Sequence, residues 1–122
     1  MKKIEKENIV GIHAVRILLK IRPFDIYEIY VSNKDAKQYK DIIEEAKKNN
    51  LVIQKITNDK IFEITKVKSH QGVLAVSKKK SEIYENNLIK FLQEKNKNQI
   101  LLIIDEVADP RNLGACLRIC DA

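Results

Sequence analysis

The chain has 122 residues, a formal net charge of +6, and a hydrophobic fraction of 44%. Its apolar residues fall in periodic runs, which excludes a wholly disordered chain. The longest apolar run, Ile100–Ile104, is too short to span a bilayer, and the charged N-terminus lacks the apolar segment of a secretory signal. We therefore expect a cytoplasmic protein with no membrane partner. The basic charge suits a polyanion such as RNA, although a solvated surface explains it equally well.

The first part of the chain predicts a small α/β domain in which helices and strands alternate. Apolar residues at helical or alternating spacing define each element. Strand residues Tyr27, Ile29 and Val31 are expected to share one face. The continuous apolar segment Val73–Val76 predicts a strand buried on both faces, with Gly72 in the turn before it and the domain ending near Val76 or Ser77. The predicted elements are helix Gly11–Lys20, strand Tyr27–Val31, helix Asp35–Asn49, strand Leu51–Ile56, a helix capped by Asn58 and ending at Ile64, and strand Gly72–Ser77.

A polar stretch over residues 78–97 predicts a linker followed by a helix through Leu88–Leu92. Beyond it, Gln99–Glu106 predicts an interior parallel strand, and Asp109 with Pro110 predicts the cap and first residue of a helix. A buried parallel strand needs neighbours, but only one helix follows. We therefore expect the chain to end partway through its second domain. The alternative is that this strand joins the first sheet and the chain is complete.

The segment from Asp105 to Ala122 resembles the first catalytic motif of the SpoU (also called TrmH) family of RNA 2′-O-ribose methyltransferases. Two further segments agree. Val10–Val15 resembles the opening of that family's accessory substrate-binding domain, and Ser69–Val76 resembles its closing His-Gln-Gly strand. The three matches occur in the family's order and favour its ribosomal-RNA guanosine subgroup. The motif residues in the first of these segments are Asp105, Asp109, Pro110, Asn112, Gly114 and Arg118.

The resemblance implies an RNA substrate-binding domain over residues 1–77, similar to small α/β ribosomal proteins. Residues 98–122 would then be the first strand and helix of a truncated knotted α/β (SPOUT) methyltransferase domain. It also implies S-adenosylmethionine as methyl donor, bound by a C-terminal part beyond Ala122, so that no residue here binds the cofactor. The implied partners are ribosomal RNA and, in the full-length protein, a second copy in a homodimer.

By the same resemblance, Arg118 is the expected catalytic residue and Asn112 helps to position Arg118 or the RNA. A guanidinium resists deprotonation, so we expect Arg118 to bind RNA phosphate or stabilise the developing alkoxide rather than act as a base. Asn112 also suits a cap or turn role. We expect no metal site, because neither histidine has suitable partners. Candidate RNA contacts, with a solvated surface as the alternative, are Arg16, Lys78, Lys79 and Lys80.

The parent protein is therefore expected to be an enzyme, whereas this chain alone is expected to be inactive because it lacks the donor-binding half. Two other interpretations remain open. The chain could be a non-enzymatic RNA-binding module resembling small α/β ribosomal proteins, or a piece with no independent role.

Overall fold

The computed structural model describes residues 4–34, 36–94, 98 and 100–121. Contacts divide the chain into two compact units, Met1–Ser81 and Glu82–Ala122. The described residues form a mixed α/β fold, as predicted from the sequence. In chain order the elements are β1 (Lys6–Val10), α1 (Ile12–Ile21), a 3-10 helix (Pro23–Asp25), β2 (Ile26–Ser32), a 3-10 helix (Ala36–Tyr39), α2 (Lys40–Lys48), β3 (Ile53–Ile56), α3 (Asn58–Thr65), β4 (Val73–Lys78), α4 (Glu85–Gln93) and α5 (Pro110–Asp121).

The first unit is built on a four-stranded sheet of order β1-β4-β2-β3. β4 runs antiparallel to both β1 and β2, and β3 runs parallel to β2. β4 has a neighbouring strand on each side, and Val73, Leu74 and Ala75, which alternate between the two faces of the sheet, are all fully buried. The predicted burial of this strand on both faces is confirmed.

The main core lies between the sheet and the helices α1 and α2. Amphipathic spacing directs Val15 and Leu19 of α1, and Ile42 and Ala46 of α2, into this layer. They meet sheet residues that include Ile29. Ile61 of α3 is also fully buried but lies outside this cluster. The helices thus hold the loops at the strand ends in defined positions.

β1 was not predicted from the sequence. Its first three residues, Lys6, Glu7 and Asn8, are polar, so the segment lacks the apolar alternation of a typical strand. It forms because β4 supplies a hydrogen-bonding neighbour, with Ile9 opposite Ala75. Such an edge strand depends on tertiary pairing rather than on a local signal.

The predicted face of β2 is wrong at one position. Ile29 and Val31 are buried, but Tyr27 is exposed and Ile26 takes a core position instead. The register shifts between Ile26 and Glu28, which marks an irregularity that reverses the alternation locally. A bulge of this kind moves a side chain to the other face.

Two helix starts also differ from the prediction. The helix expected over Asp35–Asn49 begins as a 3-10 turn and becomes α-helical only at Lys40, and Asp35 itself lies outside the described residues. α3 is capped by Thr57 and not by Asn58, because Oγ1 of Thr57 accepts a hydrogen bond from the N–H of Lys60 at 3.2 Å. Threonine and asparagine are both good caps, so composition alone does not choose between them.

In the second unit, α5 begins as predicted. Oδ1 of Asp109 accepts a hydrogen bond from the N–H of Arg111 at 2.8 Å, and Pro110 is the first helical residue. Of the strand predicted over Gln99–Glu106, Gln99 lies outside the described residues; the rest does not form a strand, since residues 100–105 have no regular structure and Ile100 is fully exposed. A strand needs partners for its backbone groups, and the described residues supply none here.

Candidate functional site

The two segments that resemble the ends of a substrate-binding domain meet in space. Oε1 of Gln71 accepts a hydrogen bond from the backbone N–H of Ile12 at 2.9 Å. The N–H of Gly11 donates to the carbonyl oxygen of Val73 at 3.2 Å. Residues about 60 positions apart in sequence are therefore joined at the first turn of α1.

The segment His70–Val73 is a tight turn that requires its glycine. Gln71 and Gly72 have φ of 55° and 72°, as in a type I′ turn, and the N–H of Val73 donates to the carbonyl of His70 at 3.2 Å. A Cβ added at Gly72 would lie 2.1 Å from Oη of Tyr39. The role assigned to Gly72 from the sequence, in the turn before its strand, is confirmed.

The polar groups of this turn are paired with the surrounding elements. Oη of Tyr39 donates to the carbonyl of Gln71 at 2.9 Å, and the N–H of Ser32 donates to the carbonyl of Gly72 at 2.7 Å. Nδ1 of His70 accepts from the N–H of Gly72 at 2.9 Å. Because Nδ1 is an acceptor, the neutral ring of His70 carries its proton on Nε2. The turn is thus rigidly held, and it orients an imidazole N–H donor.

A cleft of about 490 Å³ opens beside this turn. His70, Lys34, Gln38 and Asn58 contribute polar side chains to its wall. Ile12 and Asn58 are also the first residues of α1 and α3, so the positive ends of two helix dipoles border the cleft. Oδ1 of Asn58 is buried without a hydrogen-bond partner among the described residues. The cleft therefore combines fixed hydrogen-bonding groups with an unsatisfied acceptor.

Arg16, a predicted RNA contact, lies in an ion pair across the helical layer. Its Nε donates to Oδ2 of Asp41 at 2.5 Å, and both side chains are about half exposed. The hydrogen bond from Arg16 is the main reason that the pKa of Asp41 is lowered, and the same bond raises the pKa of Arg16. Asp41 offsets part of the positive charge that Arg16 would offer to a phosphate.

The structure does not bring the predicted lysines to the cleft. Lys78 ends β4, whereas the His70–Val73 turn precedes it, so the two ends of the strand are roughly 17 Å apart. Lys79 forms an ion pair with Glu5 at 3.7 Å. Lys78, Lys79 and Lys80 are all exposed, which leaves them accessible to a partner.

Arg118 and Asn112 are both exposed on α5, in the other unit. Six residues on a helix correspond to about 9 Å of rise and about 120° of rotation, so the two side chains leave the helix on different faces. Arg118 instead shares a face with Arg111, seven residues earlier. Arg111 also pairs with Asp109 at 3.3 Å. Arg118 itself forms no ion pair among the described residues, so its guanidinium can contact a partner.

None of the described residues of the second unit is buried. No group of three His, Cys, Asp or Glu side chains that could hold a metal ion occurs among the described residues. Within the same residues, no helix is long and apolar enough to cross a membrane.

Comparison with known proteins identifies the class of this fold. A family model described as RNA 2'-O ribose methyltransferase substrate binding matches residues 8–83, and the chain belongs to this family. The chain is also similar to 23S rRNA (guanosine-2'-O-)-methyltransferase RlmB of Pasteurella multocida, with 36% identity over 117 residues, and of Coxiella burnetii, with 34% identity over 123 residues. These alignments cover 95% and 100% of this chain but 47% and 48% of the relatives. The chain spans about half the length of the curated relatives it matches.

The matched region contains the whole cleft, which was not predicted from the sequence. His70 was rejected as a metal ligand, and neither Lys34 nor Gln38 was singled out from the sequence. The sequence did offer one indication of this site. Val10–Val15 and Ser69–Val76 both resemble ends of the substrate-binding domain, and hydrogen bonds join these two segments beside the cleft.

Proposed function

We propose that this chain is the RNA-recognition part, with the first catalytic motif, of an S-adenosylmethionine-dependent 23S rRNA guanosine 2′-O-methyltransferase. The observation that carries the proposal is the match of residues 8–83 to the substrate-binding family, supported by identity to RlmB proteins across almost all of the chain. In this proposal residues 1–77 recognise RNA, residues 78–97 connect, and residues 98–122 begin the catalytic domain.

Methyl transfer to a ribose requires the 2′-hydroxyl to be held in line with the donor and its developing negative charge to be stabilised. S-adenosylmethionine supplies the electrophilic methyl group when it is bound. We assign the stabilising contact to the guanidinium of Arg118, which can donate two parallel hydrogen bonds to phosphate or to an alkoxide. Asn112, one and two-thirds turns earlier on a different face of α5, would contact another part of the same RNA.

The donor site in this proposal belongs to a part of the protein outside the described residues, as does the contact of a homodimer. Arg16 and the lysines at residues 78–80 would add phosphate contacts. Each such contact releases counterions, so RNA affinity should fall with rising salt. The proposal places the full-length enzyme with ribosomal RNA in the cytoplasm.

Transfer of a labelled methyl group from S-adenosylmethionine to 23S rRNA by the full-length protein tests the proposal. We expect Arg118→Lys to lower the rate by roughly 100-fold or more, because lysine cannot replace a bidentate contact at a developing charge. Arg111→Lys is the matched control on the same helical face and should keep most of the rate. Absence of methylation by the unaltered full-length protein would overturn the enzyme assignment, and equal rates for both variants would overturn the role of Arg118.

A further inference from the structure

We propose that the cleft beside the His70–Val73 turn binds a single unpaired nucleobase of RNA and reads its hydrogen-bonding edge through His70 and Asn58. The inference deepens the proposed RNA recognition and rests on it. Proteins that recognise RNA sequence commonly accept bases splayed out of a helix and hydrogen-bond their edges. The cleft volume, about 490 Å³, lies in the range of small-ligand sites.

His70 supplies a donor of fixed direction. The residue is 8% exposed, and the N–H of Gly72 holds its Nδ1 as an acceptor. This contact leaves Nε2–H as the donor of the neutral ring, on a residue that lines the cleft. A base carbonyl or ring nitrogen is the complementary acceptor.

Asn58 supplies a hydrogen-bond acceptor that complements the donor of His70. Its Oδ1 is a buried acceptor without a partner, an arrangement that folded proteins rarely leave unsatisfied. A ligand donor such as a base amino or imino group is the kind of partner that this oxygen lacks. A donor and an acceptor that line the same cleft are the groups that the edge of a base requires.

The side chains of the lining favour a base over a free phosphate, although the starts of α1 and α3 also border the cleft. Lys34 is the one cationic side chain among the lining residues, whereas His70, Asn58 and Gln38 are neutral hydrogen-bonding groups. A phosphate site would use several cations or clustered free N–H groups, but the N–H of Ile12 at the start of α1 is already taken by Gln71. Lys34 is exposed and suits the phosphate that flanks an inserted base.

The test compares binding of the 122-residue chain to a blunt RNA duplex and to the same duplex with one bulged nucleotide, made with each of the four bases. We expect at least one bulged duplex to bind about three- to tenfold more tightly than the blunt one, as one or two net hydrogen bonds provide. His70→Asn keeps an acceptor near the position of Nδ1 for Gly72 but removes the Nε2–H donor. It should abolish most of this preference.

Asn58→Ala removes the side-chain acceptor and should also reduce the preference for the bulged duplex. Lys34→Ala should weaken binding of the bulged duplex more than Lys47→Ala, a matched removal of one exposed charge on α2 outside the cleft. Thermal melting of each variant checks that it is folded. Binding of every duplex with equal affinity, or a bulge preference unchanged in both His70→Asn and Asn58→Ala, would overturn the base site while RNA recognition stands. Failure to bind any duplex would overturn RNA recognition and the base site together.

Discussion

The side chain of Gln71 closes the first turn of α1 by accepting a hydrogen bond from the N–H of Ile12, 59 residues earlier in the chain. The first N–H groups of a helix have no partner within the helix, so this contact stabilises both the helix and the turn. Gln71 itself adopts φ of 55°. The strained residue and the helix start thus define one rigid corner of the cleft.

Gly72→Ala should lower the free energy of unfolding by about 3 kcal/mol. The new Cβ would lie 2.1 Å from Oη of Tyr39, and φ of 72° strains any residue with a side chain. Urea unfolding monitored by circular dichroism measures the loss. Gly114→Ala is the control, because nothing lies within 4 Å of its added Cβ on α5, and it should be neutral or stabilising. Equal midpoints for Gly72→Ala and the unaltered chain would contradict the turn geometry.

Tyr39→Phe should lower the free energy of unfolding by about 1 kcal/mol, because it removes the part-buried hydrogen bond from the Tyr39 hydroxyl to the carbonyl of Gln71. The ring itself is retained, so packing changes little. Denaturant titration gives the value. Tyr30→Phe removes a hydroxyl from an exposed bond to Glu28 and serves as the control. A cost for Tyr39→Phe no greater than that for Tyr30→Phe would argue against the contact.

Thr57→Ala should cost about 1 kcal/mol of stability, since the N–H of Lys60 loses its capping oxygen at the start of α3. Thr57→Ser keeps an oxygen in the same place and should retain most of the stability. Thermal melting of the two variants distinguishes them. Equal losses for both would show that the hydroxyl does not cap the helix.

Asp41→Asn should destabilise the chain near neutral pH but not in acid. The hydrogen bond from Arg16 lowers the pKa of Asp41 below its ordinary value of 3.8. A lowered pKa in the folded state adds stability above the ordinary pKa, and this stability is lost as pH falls through the folded-state pKa. The difference in melting temperature between the two proteins should therefore be present at about pH 7 and shrink below about pH 4. A difference that grows in acid would contradict the assignment.

Elements with a strong local pattern were predictable from the sequence. The spacing of Val15, Leu18 and Leu19 predicted α1, and the run Val73–Val76 predicted β4. Each pattern can be found locally because the buried apolar residues that form it belong to the element itself. Features that depend on distant partners were not predictable. β1 needs β4 beside it, and the apolar run Ile100–Ile104 remains without strand structure because the described residues give it no neighbour.

The candidate site also combines features that a local pattern predicts with features that depend on distant residues. Gly72 could be assigned to a turn from its position before a strand. The contacts of Gln71 with Ile12, and of Tyr39 with Gln71, join residues 59 and 32 positions apart. The local periodicity of the sequence does not predict contacts between residues so far apart. These contacts bring the start of α1, the 3-10 helix Ala36–Tyr39 and the His70–Val73 turn together beside the cleft. The roles of Arg118 and Asn112 come from resemblance and stay predictions.

Titration of the ¹⁵N-labelled 122-residue chain with the best-binding bulged RNA duplex, followed by amide and imidazole chemical shifts, tests the central claim most directly. We predict that the largest changes fall on Lys34, Gln38, Asn58 and Gly72 and on Nε2 of His70, with smaller changes near Lys78–Lys80. RNA binding that leaves the chemical shifts of all these cleft residues unchanged would contradict the assignment of this cleft as the RNA-recognition site.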